Sequence, residues 1–194
     1  MTPPLYAAAY LRSIVVQALV NAQGAGALAA NITSPGIWDA PETKLPAVTV
    51  RHGDQLKRGT EQTAPLQVHS IISIEIQAQC RGATGVIAQS AMELLAGAVE
   101  YAIFSQIFAL DLAFCAANGA PEMRVIERFE ESRQRIEITA DSTNPLASLD
   151  MTMVFRLFQP FDPAGPPLTT IGGTLTDPDS GDVQAIFSLP GLNT

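Results

Sequence analysis

The chain has 194 residues, 47% hydrophobic and 15% charged, with a formal net charge of −8 and an isoelectric point of about 4.6. That supports one domain with a real core and argues against two comfortable ones. Lys and Arg number 11 against 19 Asp and Glu, with no basic run, which argues against tight, counterion-releasing binding to nucleic acid. So low a charged fraction points to a surface partly buried against partners, although a well-packed monomer with long neutral loops has the same composition.

A helix opens the chain, with Thr2 as its cap and Pro3 in the first turn, where a missing N–H costs nothing. Leu11, Ile14, Val15, Ala18 and Leu19 form its apolar stripe, and Gly24 and Gly26 end it. This apolar start carries Arg12 at its middle and no basic leader, so a signal peptide is not expected. No unbroken apolar stretch approaches the length of a membrane span, so the expectation is a soluble chain in a reducing cytoplasm, at least during assembly. Residues 24–45 read as a long loop that contains Trp38. Leu45–His52 reads as a short strand. Gly53–Pro65, with Lys57 and Arg58, reads as a polar, turn-rich connector.

Alternation is clear over Val68–Cys80. Val68, Ile72, Ile74, Ile76 and Ala78 face one way and His69, Ser73, Glu75, Gln77 and Gln79 the other, with Ile71 the exception. A second helix is predicted over Thr84–Ile107, with Ile87, Ala91, Leu94, Leu95, Ala98, Val99, Ala102 and Ile103 as its stripe. Gly97 near its middle implies close packing on the sheet. Phe108–Ala120 fits helix or loop. Three strands follow, over Arg124–Phe129, Arg133–Ala140 and Ala147–Phe158; in the last, Leu149, Met151, Met153, Phe155 and Leu157 point inward. Phe158–Thr170 is a proline-rich linker, and Thr170–Thr176 with Asp182–Leu189 reads as a hairpin around DPDSG. The expected fold is α+β: an antiparallel or mixed sheet packed on one side by two helices, with an appended C-terminal β-hairpin. The division is a core over 1–158 and a linker with a hairpin arm over 159–194.

Chemistry-bearing residues are sparse. His52 and His69 are the two histidines, and neither has further ligands at metal-binding spacing. Asp177, Asp179 and Asp182 look like the opening of a calcium loop, but Ser188 stands where the twelfth-position glutamate belongs, so a hairpin turn explains them more simply. Cys80 and Cys115 form no CxxC pair and read as buried free thiols. There is no GxSxG elbow and no glycine-rich phosphate loop. No catalytic, metal or cofactor site is expected. Glu127, Arg128, Glu130, Glu131, Arg133 and Arg135 mix signs where a strand–turn–strand junction is predicted. They read as a solvated hairpin tip or as an ion-pair belt between subunits.

The order of elements resembles the tail terminator proteins of long-tailed bacteriophages. The resemblance runs over about residues 5–158. It is carried by the LRSIVVQAL helix, the LPAVTV strand, the long HSIISIEIQAQ strand, the AQSAMELLAGAVEYAIF helix and the closing ASLDMTMVFRLFQ strand. It implies a non-enzymatic virion protein, assembled in the host cytoplasm. Such a protein forms a homohexameric ring that caps the tail tube, stops tube polymerisation and joins the head–tail connector or stopper. An acidic lumen would let DNA pass without sticking. No membrane partner is implied. Trp38, Lys57, Arg58 and the 127–135 charges are then candidates for contact with neighbouring subunits or the tube. A different neck protein or a tube subunit shares this texture. Two other classes stay open: a small hydrolase or transferase, which requires a concentrated polar pocket, and a monomeric binding module using the Trp38 loop and the hairpin.

Overall fold

A computed structural model of the chain describes residues 7–33, 44–59, 67–117, 124–139, 144–160, 170–176 and 183–190. Thr2, Pro3 and Trp38 lie outside the described residues. Helix α1 spans Ala7–Gly24, and every member of its expected stripe is buried. It ends in a backbone motif that only glycine enters cheaply. Gly26 takes φ +73°, its N–H reaches Gln23 O, and the N–H of Ala27 reaches back to Ala22 O. That turn drops Leu28 into the core.

Five strands form one mixed sheet in the order β1-β2-β3-β5-β4: β1 Asn31–Thr33, β2 Ala47–Gly59, β3 Gln67–Arg81, β4 Ile126–Thr139 and β5 Leu146–Pro160. Helix α2, Gly85–Ala117, lies with α1 on one sheet face. The molecule is therefore α+β. The inward residues read from alternation in β3 and β5 are all buried, and Ser70 joins them in phase. β6 Thr170–Thr176 and β7 Val183–Pro190 pair antiparallel as a separate two-stranded sheet; Asp177–Asp182 between them lies outside the described residues.

Four local expectations are corrected. The loop over 24–45 contains β1, which pairs parallel with Ala47–Thr49 and makes the sheet mixed. The connector that was expected to start at Gly53 is strand as far as Gly59. A bulge between His52 and Gln55 sets Gly53 and Asp54 against the single Ser73, one extra residue, and pairing resumes from Gln55↔Ile72 to Gly59↔Val68. His52, Asp54, Leu56, Lys57 and Arg58 are all exposed in this half, so no burial imposes the alternation that marks a strand. The two short strands around 130 are one strand, β4, with bulges between Ile126 and Arg128 and between Phe129 and Glu131. Each bulge adds a residue and breaks the period of two while the ladder continues. Lastly, α2 runs to Ala117, and Ile87 and Leu94 from its expected stripe point outward. Ala88, Met92, Val99, Ile103 and Ile107 face the core instead.

Gly97 is exposed on α2 and does not touch the sheet; a Cβ there would meet nothing within 4 Å. The close approach sits at Gly82, between β3 and α2. A Cβ at Gly82 would stand 2.3 Å from the backbone N of Ala88 and 2.7 Å from its Cα. The first turn of α2, capped by Thr84 Oγ1 accepting from the Ile87 N–H, is fixed against this point. Gly82→Ala is expected to destabilise the fold by about 1–3 kcal/mol, because backbone must move to make room. Urea unfolding within 0.5 kcal/mol of the parent would contradict this.

α2 is the one described helix long and apolar enough to cross a membrane, with a mean hydropathy of 1.5 over its most apolar window. It nevertheless carries Glu93, Glu100 and the fully buried Asp111, and packs against β3, β4, β5 and α1.

Candidate functional site

With both helices on one side, the other face of the four long strands has no layer of the described chain over it. Register places Arg51, Leu56 and Arg58 of β2 on this face beside His69, Ile71, Glu75 and Gln77 of β3. It continues through Asp150, Thr152 and Arg156 of β5 to Glu131, Arg133, Arg135 and Glu137 of β4. The two bulges in β4 aim carboxylates across it. Glu127, the extra residue of the first bulge, lies 2.9 Å from His69 Nδ1 through its Oε2. Glu130, in the second, accepts from Arg128 Nε at 2.9 Å, and the same oxygen lies 2.8 Å from Arg156 Nε as an ion pair. Arg128 and Arg156 are register partners, so two like charges would stand side by side without that carboxylate. The hydrogen bond from Arg128, with the charge of Arg156 behind it, holds the Glu130 carboxyl below its ordinary range.

Further along β4 the pairs are local. Arg133 lies 3.3 Å from Glu131 and Arg135 lies 2.6 Å from Glu137, with all four side chains at least half exposed. Such pairs contribute at most about 1 kcal/mol each. The structure thus gathers Arg58, Glu127, Arg128 and Glu130 at one end of the open face. It strings Glu131, Arg133 and Arg135 along the β4 edge. They are not a hairpin tip. Lys57 falls on the opposite face from Arg58, both exposed on strand β2.

A second polar group went unread in the sequence. Asp111 is fully buried on α2; its Oδ1 accepts from the Tyr10 hydroxyl at 2.5 Å, and its Oδ2 from the backbone N–H of Val125 at 3.0 Å and Ile126 at 3.1 Å. One carboxylate thereby ties α1, α2 and the start of β4 together. Burial first, and then the bond to Asp111 and its charge, push the Tyr10 hydroxyl far above its ordinary range. Burial likewise pushes the Cys80 and Cys115 thiols up, with the Asp111 charge adding at Cys115, so neither is set up as a nucleophile. A single charged residue in the otherwise uncharged Tyr101–Ala117 half of the helix was the available signal; the ambiguous reading of Phe108–Ala120 hid it. His52 stands at the rim, with Arg12 Nη1 3.5 Å from its Nδ1. Among the described residues, no three His, Cys, Asp or Glu side chains gather as a metal site.

Fold and site together define the class: an α+β protein with one face of a mixed sheet covered by helices and the other, charged in both signs, left open. No protein-family model matches the chain, and no characterised protein is significantly similar to it.

Proposed function

We propose that the chain is a non-enzymatic ring subunit of the tail-terminator type from a long-tailed bacteriophage. About six copies cap the tail tube, end its polymerisation and join it to the head–tail connector in the virion. The observation that carries the reading is the open sheet face, with its charged β4 edge. A sheet of four long strands covered on one side only, with exposed Arg and Glu side by side along its β4 edge, suits head-to-tail contact around a ring, where one charged edge meets a different surface of the next copy. The order helix, strands, helix, strands agrees with the family resemblance over residues 5–158. The net charge of −8 suits a lumen through which DNA slides without being held. In this reading Arg133 and Arg135 exchange their weak local partners for carboxylates of a neighbour, Lys57 and Arg58 face the tube or the next subunit, and the 159–194 arm reaches an adjoining copy or the head-proximal partner.

Light scattering across a concentration series, with negative-stain images of the same sample, tests the proposal. A closed ring of about six copies, or a monomer that rings only on purified tail tubes, supports it. Open filaments indicate a tube subunit instead. A strict monomer indifferent to tubes overturns the virion reading.

A further inference from the structure

The outer face of α2 is apolar along most of its length. Leu94 is 77% exposed, Tyr101 72% and Ile87 52%, with Val86, Phe104 and Phe108 beside them. Ile87, Leu94, Tyr101 and Phe108 recur every seven residues, which keeps them on one narrow stripe of a helix. Ser90 and Gly97 fall between them on the same stripe. Gly97 costs an exposed helix about 1 kcal/mol relative to Ala, and nothing among the described residues requires it, since a Cβ there meets only open space. A backbone approached closely from outside does require it.

We propose that this face is a self-association surface, on which α2 of a second copy lies antiparallel across a two-fold axis near Val99. Three observations select a second copy. First, the pattern complements itself: about that axis Tyr101 lies over the partner's Gly97 and Phe108 over the partner's Ser90, large side chains over small ones, while Leu94 and the partner's Phe104 make an apolar pair. Second, the exposed fractions of the three aromatic side chains alone amount to roughly 200–400 Å² per copy, and Leu94, Ile87 and Val86 extend this toward the roughly 800 Å² per partner of a stable interface. Third, α2 contains no Lys or Arg, whereas helices that lie on anionic lipid carry them on their polar flanks. The contact is isologous and uses a different surface from the open sheet face, so it does not rest on the ring reading.

Oxidative cross-linking of the full chain tests this. Cys80 and Cys115 are buried, so an introduced thiol acts alone. Ala98→Cys stands beside the axis and is expected to give a disulfide-linked dimer on a non-reducing gel. Val86→Cys, about 39 Å from its own symmetry mate at 1.5 Å rise per residue, is expected to give none. The double variant Leu94→Lys/Tyr101→Lys is expected to raise the dimer dissociation constant at least ~30-fold in sedimentation experiments. Below the parent's dimer dissociation constant its unfolding midpoint should match the parent's, because both side chains are exposed in the single chain. Absence of a link at position 98, equal linking at 86 and 98, or an unaltered mass in the double variant overturns the proposal. Flotation with phosphatidylcholine vesicles in place of dimerisation overturns it too. Rings of six without the link at 98 remove this inference and leave the ring reading standing; a linked dimer that never forms rings does the reverse.

Discussion

Asp111→Ala is expected to lower the unfolding free energy by about 3 kcal/mol or more, a fall of roughly 10 °C in midpoint for a chain of this size. The loss does not come from one bond. Removing the carboxylate leaves the Tyr10 hydroxyl and the Val125 and Ile126 N–H groups buried without their acceptor, and water has no ready access to replace it. Each orphaned group costs about 1–3 kcal/mol. Tyr10→Phe removes one donor and leaves the carboxylate two, so its cost should be only about 1–2 kcal/mol. Asp111→Asn is expected to fall between them, because its amide presents donors where an acceptor is needed. Urea and thermal unfolding of the three variants measure the ranking. Values all within 0.5 kcal/mol of the parent would remove Asp111 as the tie between α1, α2 and β4.

The same cluster makes the fold sensitive to alkali. The hydroxyl of Tyr10 is held far above its ordinary value, chiefly by burial and then by Asp111. An unfolded tyrosine releases its proton at about pH 10. Below that pH both states keep the proton, and the contribution of Tyr10 is fully present. Above it the unfolded chain deprotonates while the folded chain does not, so the folded state binds more protons and stability falls as pH rises. The slope is about 1.4 kcal/mol per pH unit for this one group. Tyr10→Phe lacks the slope. The parent should be the more stable of the two near neutrality, and the difference should close and then reverse as pH rises through 10 to 12. Parallel stability curves for parent and variant across that range would contradict the burial of a protonated Tyr10.

Periodicity was legible wherever one side of an element met the core and the other met water. In β3 and β5 a change of one residue flips a side chain from core to solvent, so Ile72, Ile74, Ile76, Leu149, Met151 and Met153 announce their face locally. The stripe of α1 was equally plain. The second half of β2 was not, because its exposed side chains leave no apolar signal. What holds Arg58 in a strand is its ladder partner His69, and a pairing with a distant segment has no local mark. β4 was read as two strands because its bulges interrupt the alternation at Glu127 and Glu130. Those same bulges place the carboxylates opposite His69 and Arg156, so the feature that obscured the strand also builds the site.

α2 shows the clearest division. Being apolar nearly all round, it offers several stripes of similar quality, and composition cannot rank them. Ala88, Met92, Val99 and Ile103 turn inward because α1 and the sheet meet the helix on that side, leaving Ile87, Leu94 and Tyr101 outside. By itself the sequence determined the α+β class, the inward faces of α1, β3 and β5, and the apolar settings of the two thiols, since these follow from residue type and short-range period. Tertiary structure alone decided the parallel β1, the continuity of β4, the outward face of α2 and the role of Asp111. Each depends on which distant segments come together, and only the packed chain fixes that.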